Sequence, residues 1–235
     1  MISVIFPTYN EAGNLKRLIG RTVKALKGVR HEIIVVDDNS PDKTWQLAQR
    51  LKRQYLQVRV VRRMDQRGLT SAINYGVKIA KGRVVGWMDA DLSHPPELLP
   101  VMATTIKKSG AVVASRYLKG AEDKRELWLQ VLLSRLINKL CQWLLNPQIT
   151  DYTSGYILLN KRYFKKLKLE GDYGEYFIRL MADLSRLGVK IKEVPYINVN
   201  RVYGQSKTAT SIWGLVIRGR KYLYTLASLC IKKYY

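Results

Sequence analysis

Acidic residues are scarce in this chain of 235 residues, which contains 18 Asp and Glu against 41 Lys and Arg. The resulting formal net charge of +23 predicts a polyanionic partner. Nucleic acid, an anionic membrane surface and phosphorylated substrates all meet that description, and charge alone does not choose among them. The hydrophobic content of 47% is nevertheless ample for a packed core.

Cysteine is also rare, and long apolar runs are absent. Cys141 and Cys230 lie in helical patterns far from any C-x-x-C or Cys/His spacing, so we predict two inert buried thiols, a reducing compartment and no zinc site. No stretch reaches 18 consecutive apolar residues, and we therefore expect no membrane-spanning helix. The chain enters a strand at residue 2 without a basic and apolar leader, which favours a cytoplasmic protein.

Glycine-rich phosphate loops are missing as well. Neither G-x-G-x-x-G nor G-x-x-x-x-G-K-[ST] follows a predicted strand, so neither a dinucleotide-binding fold nor a P-loop is predicted. The sequence instead shows a regular alternation, in which segments of helical periodicity separate apolar strands at 2–6, 33–36, 58–61 and 84–88. This alternation predicts an α/β fold with a mostly parallel sheet and helices on both faces.

Two later segments have an unusual apolar character. Segment 127–145 is rich in Leu, Ile and Trp, and we interpret it as a core helix, with membrane contact as the alternative. No acidic residue follows Glu193, and segment 209–235 predicts a basic amphipathic helix. We expect this tail to lie in the headgroup region of an anionic membrane without crossing it. The alternative is a helix that packs on the domain with its charges in solvent.

Carboxylates follow three of the predicted strands, at the point where each strand ends. Asp89 and Asp91 come after the fourth strand, Asp37 and Asp38 after the second, and Glu11 after the first. Because the carboxyl ends of parallel strands meet at one sheet edge, these side chains are expected to converge there. Two carboxylates one residue apart can hold a divalent cation against phosphate oxygens. The alternative for Asp91 is a solvated turn in which it caps the next helix.

Five motifs occur in order along the chain: PTYNE at 7–11, VDDNSPD at 36–42, DADLSHP at 89–95, TSG at 153–155 and RVYGQSK at 201–207. Together they resemble the dolichol-phosphate mannose synthases, a branch of the inverting glycosyltransferases with a GT-A fold. The resemblance covers residues 1 to about 208. It implies a GT-A catalytic domain over 1–208, followed by the basic helical tail over 209–235.

The resemblance also implies an activity and a set of site residues. The reaction is inverting transfer of mannose from GDP-mannose to dolichyl or polyprenyl phosphate, assisted by Mg²⁺ or Mn²⁺. The metal ligands would be Asp89 and Asp91. The residues implied for nucleotide-sugar binding are Pro7, Tyr9, Glu11, Asp38, Asp89 and Ala90. Those implied in catalysis are Asp91, Arg116, Arg201 and Lys207.

The chain departs from the family pattern at two positions. Ser93, a weaker ligand, stands where the family can complete the metal shell, and His94 lies beside it. Gln130 stands where the family has a second basic residue for the acceptor phosphate, and Arg125 or Arg135 are the candidate replacements. We interpret Asp151 as a turn residue that binds its own backbone. Tyr176 and Phe177 are interpreted as core residues.

Two other functions remain alternatives at this point. A transferase using a UDP-hexose would share the same motifs, and a nucleic-acid-binding protein would explain the net charge. The basic residues are scattered and no RNA-binding or helix-turn-helix signature occurs, so no nucleic acid partner is predicted. The expected location is peripheral, on the cytoplasmic face of a membrane. The sequence leaves open whether a separate subunit supplies an anchor.

Overall fold

A computed structural model describes residues 1–171, 173–203 and 212–231. Its first half alternates strand and helix as the periodicity predicts, because each apolar run is followed by a segment with one buried helical face. The elements are β1 (Ile2–Thr8), α1 (Ala12–Ala25), β2 (His31–Asp37), α2 (Thr44–Gln54), β3 (Val58–Arg62), α3 (Leu69–Ile79) and β4 (Val84–Trp87).

The second half is less regular. Its elements are α4 (Leu99–Thr105), β5 (Ala111–Ser115), β6 (Glu122–Asp123), α5 (Trp128–Leu144), β7 (Ile157–Asn160), α6 (Glu175–Arg186), β8 (Ile191–Pro195), β9 (Ile197–Asn198) and α7 (Ile212–Ile231). Short 3₁₀ turns cover Pro96–Leu98, Ile106–Lys108 and Lys161–Lys165. Pro96 begins the first of these turns and Pro100 lies in the first turn of α4, where a missing N–H costs least.

One sheet of seven strands carries the fold, in the order β3-β2-β1-β4-β7-β5-β8. All neighbouring pairs in it are parallel except those that β7 makes with β4 and β5. A side chain at Gly86 of β4 would collide with Leu158 of β7, so glycine permits this close pairing. The mostly parallel sheet with helices on both faces is confirmed, and the carboxyl ends of β1, β2 and β4 share one edge.

Apolar residues fill both faces of this sheet. Along β1, Val4 and Phe6 belong to one core cluster and Ile5 to the other, because successive side chains of a strand point to opposite faces. Helices α1, α2 and α4 cover the first cluster, while α3, α5, α6 and α7 cover the second. Burial on both faces explains why the strands are continuous apolar runs rather than alternating ones. Tyr176 and Phe177 lie in the second cluster, as expected of core residues, but Tyr176 also borders a cavity at the carboxyl edge of the sheet.

Helix α5 corrects one prediction. It is not a core helix, because among its residues only Ile137, Asn138 and Cys141 are buried. Trp128 and Trp143 are 72% and 80% exposed on its other side. The apolar surface of α5 is broad because the helix packs inward with one side and presents a second apolar side outward.

Helix α7 packs against α5 and α6, with Thr225, Leu226 and Leu229 buried and Tyr224 exposed. Among the described residues, no helix is both long and apolar enough to span a bilayer. The division of the chain at residue 208 stays a prediction.

The two cysteines are free thiols. Burial raises the pKa of Cys141 to about 12, which makes this thiol unreactive. Cys230 is only half-buried, so the prediction of two buried thiols is wrong for it.

Candidate active site

A cavity of about 1030 Å³ opens at the carboxyl edge of the sheet and extends between α5 and α7. Every described residue that the sequence assigns to the site borders it: Pro7, Tyr9, Glu11, Asp38, Asp89, Ala90, Asp91, Arg116 and Arg201. Lys207 lies outside the described residues. Asp37 does not converge with the other acids, because its carboxylate is buried and accepts hydrogen bonds from Thr8 and Ser40.

A tight turn after β4 sets the two aspartates. The backbone N–H and the hydroxyl of Ser93 donate to Asp91 Oδ1 at 3.0 and 2.6 Å, while Leu92 between them has a φ of 68°. Asp91 therefore caps its own turn and not the following helix, which has no side-chain cap. Asp89 is exposed at the mouth of the cavity. The Ser93 hydroxyl thus orients the Asp91 carboxylate in this structure through a hydrogen bond, and does not act as a third carboxylate-like ligand.

The buried side chain of His94 fixes the backbone of this turn. Its Nδ1 accepts the backbone N–H of Asp89 at 3.1 Å, and its ring stacks on Tyr156 with 5.1 Å between centroids. Burial lowers the pKa of His94 to about 4, despite the opposing charge of Asp91. The imidazole is thus neutral, with the Nδ1 lone pair committed to the protein.

The donor set of this turn fits a hard divalent cation. No group of three His, Cys, Asp or Glu side chains that could hold a metal occurs among the described residues. Two carboxylates that leave the other coordination positions to phosphate oxygens and water match the way proteins hold Mg²⁺ beside nucleotides. Asp89 and Asp91 are the residues that could hold such an ion.

Arg201 lies between two carboxylates of this edge. Its Nη2 is 2.9 Å from Asp91 Oδ2, and its Nη1 is 3.4 Å from Glu11 Oε1. The backbone of the same segment is fixed too, because Val202 N donates to Asp91 O and Asn14 Nδ2 donates to Tyr203 O. The segment that begins at Arg201 therefore covers the carboxylate edge and supplies its positive charge.

Asp38 is held at the β2 side of the cavity. Its Oδ1 accepts from Arg63 Nε at 2.7 Å and its Oδ2 accepts from Gly68 N at 2.9 Å. The guanidinium of Arg67 lies 4.9 Å from the centre of the Tyr9 ring. These contacts fix the loop after β3 against the ends of β1 and β2, where Tyr9, Asp38 and Arg67 border the cavity.

Arg116 belongs to a buried network that corrects the interpretation of Asp151. Arg116 Nε and Nη2 donate to the two oxygens of Asp151 at 2.8 and 2.7 Å, and the backbone N–H of Arg116 donates to Asp151 Oδ2 at 3.0 Å. Asp151 does accept its local Thr153 N–H, but it is fully buried and chiefly the partner of Arg116. Burial would lower the pKa of Arg116, and Asp151 raises it well above its ordinary value.

Asp123 is a second buried carboxylate that sequence reasoning missed. It accepts two hydrogen bonds from Arg125, at 2.8 and 2.6 Å, and lies 3.7 Å from Arg116 Nη1. Burial would raise the pKa of Asp123, but the hydrogen bond and charge of Arg125, with the charge of Arg116, hold it below its ordinary value. No local sequence signal distinguishes this aspartate.

The wall beside α5 and α7 is mostly apolar, although Gln130 and Ser134 of α5 also border the cavity. It is formed on α5 and α7 by Leu127, Leu129, Leu133, Leu136, Ile137, Leu140, Tyr222 and Leu223. The arrangement thus places carboxylates, guanidiniums and aliphatic side chains around one space. A cavity of this kind can bind two ligands together, one a charged nucleotide and the other an anion attached to an apolar chain.

Comparison with known proteins places the chain in a family. The model of glycosyl transferase family 2 matches residues 3–168. The chain belongs to glycosyl transferase family 2. Its GT-A fold and its class as a glycosyltransferase, both expected from the motifs, are thereby confirmed.

Among the curated relatives of this family 2 protein is a dolichol-phosphate mannosyltransferase of Pyrococcus furiosus, 37% identical over 88% of the chain. The chain spans 58% of that relative's length. A Saccharomyces cerevisiae protein of the same name is 30% identical, over 94% of the chain and 86% of the relative. The predicted resemblance to the dolichol-phosphate mannose synthases is therefore confirmed.

Solved structures show the same fold at low identity. Glucosyl-3-phosphoglycerate synthase from Mycobacterium tuberculosis, in complex with Mn²⁺, UDP and glucosyl-3-phosphoglycerate, superposes with a TM-score of 0.74 at 20% identity. That match covers 98% of the chain and 80% of the neighbour. At this identity the likeness concerns the fold.

Proposed function

We propose that this protein transfers mannose from GDP-mannose to the phosphate of a dolichyl or other polyprenyl lipid, with inversion at the anomeric carbon. The names of the two curated relatives support this sugar and this acceptor. The observation that carries the proposal is that a carboxylate edge, the guanidiniums of Arg116 and Arg201, and a mostly apolar helical wall meet in one cavity. A nucleotide-sugar, an anionic head and an isoprenoid chain need these three surfaces.

The carboxylate edge binds the donor. Pro7, Tyr9, Glu11 and Asp38 hold the nucleoside in the recess at the ends of β1 and β2, and Ala90 lies against the sugar diphosphate. Because bare carboxylates repel a diphosphate, this end needs added positive charge. Arg201 supplies part of it from within the described segment. Lys207, six residues further, is proposed to face the same phosphates.

A divalent cation supplies the rest of the positive charge. Asp89 and Asp91 hold Mg²⁺ or Mn²⁺, and when bound the ion neutralises charge on the departing nucleoside diphosphate. The Mn²⁺ in the solved M. tuberculosis neighbour supports a divalent ion. Ser93 keeps the Asp91 carboxylate oriented through its two hydrogen bonds.

The chemistry depends on positioning more than on a base. A lipid monophosphate is largely anionic near neutral pH, so one of its oxygens can attack the anomeric carbon without prior loss of a proton. The bond from that carbon to GDP breaks, and its electron pair leaves on the β-phosphate. Arg116 borders the cavity with its guanidinium held by Asp151, ready to orient the attacking phosphate.

The acceptor lipid requires a membrane surface beside the cavity. We define the outer apolar face as the exposed apolar residues among the described side chains of α5 and α7: Trp128, Leu132, Leu133, Leu136, Trp143, Leu223, Tyr224 and Ile231. Leu136 and Leu223 also border the cavity, so this face is continuous with its apolar wall. An amphipathic surface with exposed tryptophans suits the bilayer interface. The protein is therefore proposed to lie on a membrane surface, and the cytoplasmic face expected from the sequence is kept as part of this proposal.

Turnover tests the proposal directly. Radiolabelled GDP-mannose and UDP-glucose are compared with a polyprenyl phosphate and with the matching polyprenol, each with and without EDTA. We expect label in lipid only from GDP-mannose, only with the phosphorylated lipid and only with a divalent ion. Transfer from UDP-glucose alone would establish the UDP-hexose alternative. Equal transfer to the polyprenol would remove the role of the acceptor phosphate.

A further inference from the structure

Between the carboxylate edge and the apolar wall, the cavity is bordered by two arginines that share one buried carboxylate. Arg116 and Arg125 both line the cavity, and Asp123, with a side chain that is 1% exposed, lies between them. Arg125 donates to both oxygens of Asp123, whereas Arg116 approaches it at 3.7 Å. A planar guanidinium held on one edge presents its remaining N–H groups in a fixed direction.

The small β6–β9 sheet fixes Asp123. Its strands pair Glu122 with Ile197 and Asp123 with Asn198, and Asn198 Nδ2 donates to Asp123 Oδ1 at 3.1 Å. The N–H of Lys124 donates to the carbonyl of Asn198 at 2.8 Å. Arg125 therefore follows a segment with both backbone and side-chain anchors, and it is not on a loosely attached loop.

We infer that Arg125, oriented by Asp123, binds the acceptor phosphate as the second arginine beside Arg116. This inference rests on the proposed function. Arg125 holds Asp123 through Nε and Nη2, so its Nη1 side can donate to a phosphate. Arg116 uses Nε and Nη2 on Asp151 and Thr153, which leaves Nη1 as its donor group. The wall continues past Glu126, which also borders the cavity, into Leu127, Leu129 and Leu133. An anionic head with an apolar chain attached fits this junction of charge and aliphatic surface.

The two other candidates for this role are less well placed. Gln130 borders the cavity but carries no charge. Arg135 is exposed on α5 and is not part of the cavity wall. Arg125 borders the cavity and its side chain remains 26% exposed. Asp151 and Asp123 neutralise the two arginines when no ligand is bound, so a phosphate adds hydrogen bonds without first having to bury isolated cations.

The test measures acceptor binding and donor binding separately. The variants are Arg125→Gln, Arg125→Lys, Arg135→Gln and, as a charge-matched control, Lys124→Gln, whose side chain is 52% exposed beside Glu122. Binding of a short polyprenyl monophosphate is followed by calorimetry without donor. KM values for this acceptor and for GDP-mannose are then taken from turnover.

Arg125→Gln should raise the Kd and KM for the monophosphate roughly 10- to 100-fold, the worth of a charge-assisted hydrogen bond, while the KM for GDP-mannose stays unchanged. Arg125→Lys should recover part of the loss, and Lys124→Gln and Arg135→Gln should match the wild type. The inference is overturned if Arg125→Gln binds the monophosphate as the wild type does, or if Arg135→Gln carries the loss instead. A wild-type protein that does not bind the monophosphate contradicts the proposed function itself.

Asp123→Asn gives a second measure of the positioning role. The substitution keeps the size of the side chain but removes the charge that holds Arg125. Acceptor KM should rise with kcat less affected, and far-ultraviolet circular dichroism should stay unchanged. A folded Asp123→Asn protein with wild-type acceptor KM would show that Asp123 does not orient Arg125.

Discussion

The two ends of the cavity carry opposite charges and compensate them in different ways. At the donor end the side chains that face the ligand are carboxylates at strand ends, and a cation from a distant segment, Arg201, lies between Glu11 and Asp91. At the acceptor end the ligand faces guanidiniums, and the compensating carboxylates, Asp123 and Asp151, are buried behind them. The counter-charge of the donor end thus comes from the segment at Arg201 that borders the cavity, whereas the counter-charge of the acceptor end is buried behind the guanidiniums.

Removing the buried counter-charge of the acceptor end should have the largest effect on stability. Asp151→Ala leaves Arg116 without its bidentate partner in a site where both side chains are at most 5% exposed. Breaking a buried pair from one side costs about 3 to 5 kcal/mol of unfolding free energy. Urea denaturation measures this loss, with Asp183→Ala, whose half-buried carboxylate lies 3.5 Å from Arg186 Nη1, as the control. A loss below about 1 kcal/mol would contradict the structural role of Asp151.

Removing a carboxylate of the donor end should act on turnover instead. Asp91→Asn preserves the turn but weakens metal and diphosphate binding, so kcat/KM should fall roughly 100- to 1000-fold with stability nearly unchanged. Asp65→Asn, at an exposed loop position, is the matched control. Activity that survives both this substitution and EDTA would refute the assignment of Asp91 to the metal.

His94 lies between the two ends, within reach of the charges of Asp91, Arg116 and Asp151. Because its folded-state pKa is lowered from 6.5 to about 4, the unfolded chain binds a proton first as the pH falls through that window. Neutral His94 makes its full contribution to the free energy of unfolding above pH 6.5. That free energy should therefore fall by about 2 to 3 kcal/mol between pH 7 and 4.5. His94→Gln should abolish that part of the dependence in urea titrations, while an unchanged slope would contradict the burial argument.

The smallest effect concerns the outer apolar face, which we propose contacts the membrane that holds the acceptor. Trp143→Ser should change unfolding free energy by no more than about 0.5 kcal/mol, since Trp143 is 80% exposed. Co-sedimentation with anionic liposomes should nevertheless fall roughly 10-fold, the worth of one interfacial aromatic side chain. Leu56→Ser, at a residue that is 92% exposed beside β3, should leave both quantities unchanged. Equal liposome binding by both variants would place the membrane contact elsewhere.

The donor end could be predicted from sequence because the residues that form it directly follow the strands that position them. A buried apolar run followed by Asp-x-Asp identifies both the strand and the edge on which Asp89 and Asp91 lie. Asp37 was wrongly grouped with them, since neighbouring residues at a strand end point in different directions, and Asp37 turns inward to Ser40. Lys207 stays a prediction.

The acceptor end could not be predicted in the same way. Arg116 and Asp151 are 35 residues apart, and their pairing depends on β7 running antiparallel, a direction that an apolar run of four residues does not encode. Asp123 depends on β6 and β9, which are two residues each and too short to show any period. Helix α5 was misjudged because an apolar surface on two sides has the same composition whether a core or a membrane covers it.

The most direct test of the account follows the oxygens of the acceptor. A polyprenyl phosphate labelled with ¹⁸O in its phosphate is incubated with GDP-mannose, and both products are analysed by mass spectrometry. If the acceptor phosphate attacks the anomeric carbon, the lipid product carries one phosphate with all of its label, and unlabelled GDP is released. Release of GMP with a lipid diphosphate product would contradict sugar transfer between the two ends of this cavity.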